Sequence, residues 1–157
     1  MQDLIQQFAD RFDYNPTTGV MTNIHTGRVC NYINNWGYIQ LTWDRGTKGR
    51  IRQLAHRIAW VKHFGSIPED MMIDHINGVK TDNRIENLRL ICKSGNAQNS
   101  RWKGYWLNKR ANKYYAAIKL DGKTKHLGVF ASEAEAREAY LTAKRELHPY
   151  ASEYVLT

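Results

Sequence analysis

The sequence predicts an α+β fold in two units. The first is a strand–loop–strand–helix (ββα) unit with hairpin and helix elements before it, and the second is a three-stranded antiparallel sheet packed on one helix. Two observations carry this expectation. The apolar pattern switches repeatedly between a helical period and strict alternation, and Gly, Asn, Pro and Asp clusters separate the runs. The length, 157 residues, allows one core of ordinary size or two small domains.

Residues 3 to 12 place Leu4, Ile5, Phe8 and Phe12 on one helical face, so a short N-terminal helix is expected. "YNPTTG" follows with turn chemistry, Asn before Pro and a closing Gly. In "GYIQLTWD" Ile39, Leu41 and Trp43 alternate with Tyr38, Gln40 and Thr42, the pattern of a half-buried strand. "RGTKGR" turns the chain into a partner strand through Ile51. From Gln53 to Phe64 the spacing of Leu54, Ile58 and Val61 is helical, and Gly65 is placed to end the helix.

"MMIDHI" is short and apolar up to Asp74 and reads as a strand, "NGVKTDNRIE" as a loop, and "NLRLIC" as a second, antiparallel strand. "KSGNAQNS" starts a helix, with Ser94 as its N-cap and Asn96 in the first turn. In the C-terminal third, "YYAAIKLDGKTKHLGVF" is two strands joined at Asp121-Gly122, with Tyr114, Ala116, Ile118 and Leu120 on one face. A first strand runs from about Gly104 to Leu107. Ser132 and Glu135 form an S-x-x-E capping box before a helix whose stripe is Ala136, Ala139, Tyr140, Ala143 and Leu147. Tyr114 and Phe130 are expected beneath that helix. The seam between the units is expected at Arg101 to Lys103, giving domains 1–100 (core 54–99) and 101–157.

The formal charge is +8, unevenly spread. Between Arg101 and Phe130 stand Arg101, Lys103, Lys109, Arg110, Lys113, Lys119, Lys123 and Lys125 against a single acid, Asp121, with Trp102, Tyr105, Trp106, Tyr114 and Tyr115 interleaved. Cations interleaved with aromatics point to nucleic acid, because neutralising phosphates releases counterions. No basic amphipathic helix speaks for a membrane surface. No apolar run approaches bilayer length, and "MQDLIQQFADRFDY" lacks the basic-then-apolar order of a signal peptide, so the expectation is a cytoplasmic protein. Cys30 and Cys92 lack a C-x-x-C partner and are expected to be reduced and buried.

The strand, loop, strand, helix order would bring Asp74, His75 and Asn96 to one place. Hydrolysing a phosphodiester needs a water deprotonated, phosphate charge neutralised and a leaving oxygen stabilised. Histidine is the natural base near neutral pH, and a carboxylate with an amide oxygen suits a hard divalent ion. His56 on the preceding helix could equally pack or touch phosphate, and Arg57 is a candidate phosphate contact through its forked guanidinium. His25, His63 and His148 read as structural or merely exposed.

Asp74-His75, Asn87 in "IENLRL" and Asn96 in "KSGNAQNS" resemble the HNH nucleases of ββα-metal fold, in the phage homing-endonuclease variant with Asn in place of the final His. "LAHRIAWVKHFGSIPEDMMIDHING" is similar to the same family, and the resemblance spans roughly residues 12 to 100. It implies that His75 is the general base and that Asp74 and Asn96 bind the metal, with Asn99 as the competing ligand. Asn87 would hold the loop and the orientation of His75. Asn is a poor ligand for zinc, so Mg2+ or Mn2+ is expected.

"KGYWLNKRANKYYAAIKLDGKTKHLGVFASEAEAREAYLTAKREL" is similar to the plant ethylene-response-factor DNA-binding domain, which also occurs fused to phage HNH nucleases. The resemblance implies a sheet that enters the major groove, with Trp106, Lys109, Lys113, Tyr115, Lys119 and Lys125 as candidate contacts. Several family Arg positions are Lys or Asn here, which shifts weight from base readout to phosphate contact. Together these readings predict a metal-dependent endonuclease acting on double-stranded DNA as a monomer or homodimer, in the host cytoplasm if phage-encoded. The alternatives are a DNA-binding protein with a silent nuclease site and a nuclease acting on RNA or without specificity.

Overall fold

The computed structural model describes residues 2–100, 102–120 and 122–156. Two positions named above, Arg101 and Asp121, lie outside the described residues. The chain divides into two compact units, one up to Cys92 and one from Lys93 onward.

In the first unit, helix α1 (Gln2–Ala9) is followed by the hairpin of β1 (Phe12–Tyr14) and β2 (Met21–Asn23). Phe12, expected on the helix, instead begins β1 and stacks on Phe8 at 5.2 Å between ring centroids. The β1–β2 turn is the "YNPTTG" segment: the Asn15 side chain accepts from the N–H groups of Thr17 and Thr18. Gly19 closes it with φ +74°, where a Cβ would fall 2.6 Å from the backbone nitrogen of Arg84. A second hairpin, β3 (Gln40–Asp44) and β4 (Arg50–Leu54), leads into α2 (Ala55–Phe64). Leu54 stands before this helix, and Gly65 ends it with φ +87°. A third hairpin pairs β5 (Met71–His75) with β6 (Leu88–Cys92).

The core gathers Phe8, Phe12, Leu41, Ile58, Val61 and Ile73 around α2. That helix buries residues on nearly every side, Ala55, His56, Ala59 and Trp60 among them. Cys30 and Cys92 are half-buried thiols, where full burial was expected.

In the second unit α3 (Lys93–Gln98) comes first. Ser94 lies within this helix and is not its N-cap, since the helix begins one residue earlier. Strands β7 (Tyr105–Asn108), β8 (Lys113–Leu120) and β9 (Lys123–Phe130) form the three-stranded antiparallel sheet, in that order. Helix α4 (Glu133–Leu147) covers one face, with the Ser132–Glu135 capping box formed in both directions. Ile118, Tyr140 and Ala143 make the small core. Strict alternation on β8 fails in the middle: Ala116, Ala117 and Ile118 are all buried, where β9 carries a register shift. Helix α4 also buries Lys144, 1% exposed, whose ammonium donates to the carbonyl of Ser100 at 2.6 Å. No helix among the described residues is long and apolar enough to cross a membrane.

Candidate active site

The β5–β6 register sets the geometry. Asp74 lies opposite Arg89 and His75 opposite Leu88, so alternation sends the two side chains of the Asp-His pair to opposite faces. Asp74 Oδ2 accepts from Arg89 Nε at 3.0 Å and Nη2 at 2.9 Å, with its side chain 13% exposed. His75 turns inward and is buried. Its ring meets His56 of α2 edge-on at 4.9 Å and Tyr38 at 6.0 Å. Its Nε2 lies 3.1 Å from Asn83 Oδ1.

The polar segment between the strands is tied down by its own side chains. Asn87, buried immediately before β6, accepts from the Asn77 N–H through Oδ1 at 3.0 Å. The same amide donates through Nδ2 to the carbonyl of Asp82 at 2.8 Å. Its backbone carbonyl accepts from the Ile76 N–H at 2.9 Å. Asn77 bridges back, donating to Asp82 Oδ2 at 2.8 Å and accepting from the Val79 N–H. Arg84 closes the loop on Asp82 at 2.8 Å. Asn83 is clamped from outside as well: Tyr14 donates its hydroxyl to the Asn83 carbonyl at 2.8 Å.

Burial decides the protonation states here. His75 is held below the ordinary imidazole value, chiefly by desolvation and secondarily by Lys80, against the opposing pull of Asn83, Asp74 and Asp82. His56 is driven down to about 3 by burial, then by His75 and Arg57, and so stays neutral at any working pH. Burial and then Asp74 raise the Tyr38 phenol. The Arg84 and Asn77 hydrogen bonds bring Asp82 down to about 2, so it stays ionised.

Asp74, His75 and Asn87 thus lie on one hairpin of the first unit, with His56 joined to them through the core. Arg57 is half-buried on α2. Asn96 is exposed on α3 of the second unit. Asn99 accepts from the Ser152 N–H through Oδ1 at 3.0 Å. On the sheet, Trp106 and Tyr115 are cross-strand partners whose rings stack at 6.0 Å, with His126 edge-on to Tyr115. Lys113 and Lys119 are exposed on that same face by alternation. Lys109 sits in the β7–β8 turn. Lys125 lies opposite Ile118, on the face that α4 covers, in a groove with Leu127, Phe130 and Glu138.

Sequence reasoning passed over Asn83, Arg89, Tyr38 and Lys80. Arg89 was out of reach, because the long loop between β5 and β6 leaves the register that pairs it with Asp74 open. Asn83 carried no distinguishing mark, since in "TDNRIEN" every Asn and Asp reads as a turn former.

Residues 53–98 match the family model described as HNH endonuclease. The SPbeta prophage-derived YosQ of Bacillus subtilis (strain 168), which carries the name of an HNH homing endonuclease, is 29% identical over 65 residues. That stretch is 41% of this chain and 38% of that protein. DNA endonuclease I-HmuI of Bacillus phage SP01 is 28% identical over 88 residues, 55% of this chain and 50% of the relative. The matched region therefore spans half or less of the length of each relative. Among solved structures, one of DNA binding and cleavage by the HNH homing endonuclease I-HmuI aligns with a TM-score of 0.48 at 23% identity, over 82% of this chain and 76% of that one. The stretch from Gln53 to Gln98, which holds Asp74, His75 and Asn87, is thus the part of the chain that is similar to HNH endonucleases.

Proposed function

We propose that this chain is a metal-dependent endonuclease that hydrolyses phosphodiester bonds in double-stranded DNA, with His75 as general base. The observation that carries the reading is the place of His75: buried against His56 and Tyr38, with its Nε2 3.1 Å from Asn83 Oδ1, inside the segment that matches the HNH family. With the proton on Nε2 donated to Asn83 Oδ1, Nδ1 keeps its lone pair and accepts a proton from water. Asn87 is a positioning residue that fixes the loop from which Asn83 reaches His75.

Asp74 and Asn96 would hold the divalent ion. Their hard oxygen donors, with no sulfur or imidazole in the set, fit Mg2+ or Mn2+. An ion at Asp74 would share its carboxylate with the Arg89 guanidinium, which holds Oδ2. When bound, the ion would offset phosphate charge and stabilise the leaving oxygen. Asn96 is preferred to Asn99 because the Asn99 oxygen is engaged by Ser152. Arg57 and the outer face of the sheet, with Trp106, Tyr115, Lys113 and Lys119, would bind the duplex; Lys109 and Lys125 are the remaining candidates.

The Asp74–Arg89 bridge favours a second reading, a DNA-binding protein whose nuclease site is silent. One experiment separates the two. Purified protein should nick supercoiled plasmid with Mg2+ or Mn2+, stop in chelator, and lose cutting but not DNA affinity on His75→Ala. Binding without cutting by the unaltered protein would select the silent-site reading, and full cutting by His75→Ala would remove the assigned base.

A further inference from the structure

The first unit contains three tryptophans, placed in different ways. Trp60 is buried in the core. Trp43 is roofed by the guanidinium groups of Arg11 and Arg45, at 4.8 and 5.7 Å. Trp36 is 72% exposed, and its placement is deliberate rather than loose. It stands at the tip of a tight reversal that feeds β3, closed by the Ile33–Ile39 bridge and by the Gln40 N–H donating to the Tyr32 carbonyl at 2.9 Å. Buried Asn34 builds the tip. Its side-chain oxygen accepts from the N–H groups of Trp36 and Tyr38, at 3.0 and 3.1 Å, and its backbone exchanges bonds with Tyr38 and Gly37. Gly37 supplies the left-handed step, φ +83°.

This tip is also tied to the catalytic hairpin. Lys80, on the β5–β6 loop, donates its ammonium to the Trp36 carbonyl at 2.9 Å and lies over the Tyr38 ring at 4.9 Å. Tyr38 in turn meets the rings of His56 and His75. A rigid, solvent-facing indole is therefore presented through two short links from the proposed base. Such an indole loses little entropy on binding, because its backbone is already fixed.

We propose that this hairpin tip is a nucleobase-stacking site, with Trp36 taking the face of a base at a step beside the phosphodiester to be cut. The inference rests on the endonuclease reading and adds to it a contact that sets where the cut falls. Charge selects nucleic acid as the occupant: from Arg28 to Trp43 the chain carries no acidic residue, and the Lys80 ammonium lies against the tip. Tyr32 and Ile33, both exposed, extend the apolar surface beside the indole. Base stacking on such a platform is tolerant of sequence, whereas the backbone contacts around it fix register.

The test uses the full chain carrying His75→Ala, which stops cutting, and duplexes with 2-aminopurine placed in turn at positions flanking the mapped cut. Binding should change the emission of one such position markedly. Trp36→Ala should abolish that change and weaken affinity about 10-fold, the size of one lost base–aromatic stack. Trp36→Phe should restore most of both, and all variants should melt alike because the ring is exposed. Equal affinity and equal emission for Trp36→Ala would overturn the proposal while leaving the nuclease reading intact. Unaltered DNA binding together with a loss of self-association in Trp36→Ala would overturn it in favour of a second copy of the chain. A full chain that binds no duplex would bring down both readings.

Discussion

An imidazole can serve as a base only through the nitrogen that lacks a proton, so the partner of the other nitrogen decides the chemistry. For His75 that partner is the Asn83 amide, itself 1% exposed and held by Tyr14 from a different hairpin. A neutral amide accepts the Nε2 proton without adding charge, which leaves burial free to keep His75 below its ordinary value. Asn83→Asp would put a carboxylate at the same place and favour the imidazolium. The acid limb of the pH–rate profile should then move to higher pH, by about one unit or more for an opposite charge at this range. The unaltered protein should keep activity down to pH values below 6.5. Nitrogen-15 spectra of His75 read the same change without any substrate. A profile and spectrum unmoved by Asn83→Asp would show that Asn83 does not govern the base.

Each hairpin of the first unit ends on helix α2 or beside it, and the helix answers by burying residues on most of its faces, His56 included. The folded state holds His56 near 3 while the unfolded chain holds it near 6.5, so the unfolded chain binds more protons between those values. Stability from this group is therefore complete above 6.5 and is lost as pH falls toward 3, at about 1.4 kcal/mol per pH unit. His75 adds in the same direction, while Asp82, held down to about 2, gives up its share only below the ordinary carboxylate range. His56→Phe should make the melting temperature flatter between pH 6.5 and 4, and an unchanged slope would reject the assignment. The order of these elements was legible because hydrophobic period and turn chemistry are local: β3, β5, β6, the β8–β9 pair and the capping box of α4 follow from their own residues. What escaped was contact between elements. Nothing in "NNWGY" announces that Asn34 is a buried clamp or that Tyr38 reaches His75, because the same residues would make an ordinary surface turn. The register shift near Ala117 and the burial of Lys144 are likewise products of packing, invisible to period counting.

At the scale of the whole molecule, net charge and its placement matter more than any single contact. A hairpin site of this kind meets phosphates common to every sequence, so residence on DNA depends on charge elsewhere. The second unit offers it on one side of its sheet: Lys113 and Lys119 share the face of the Trp106–Tyr115 stack, whereas Lys125 stands opposite Ile118 on the side that α4 covers. That difference in facing makes a testable asymmetry. If the outer face tracks the DNA backbone, the double variant Lys113→Gln with Lys119→Gln should reduce the steepness of log K against log salt by about 2, near 0.9 per lost phosphate contact. Lys125→Gln removes one formal charge, half of that, and should leave the slope close to the parent's. Fluorescence anisotropy of a labelled duplex between 50 and 200 mM salt, about the range where such contacts are most visible, measures both. Nicking by the double variant at saturating protein should keep its rate, because the charges removed serve association and not the step at His75. A slope lowered by Lys125→Gln half as much as by the double variant would mean that the sheet acts only through overall charge, and a flat response to both would move the binding surface off the sheet altogether.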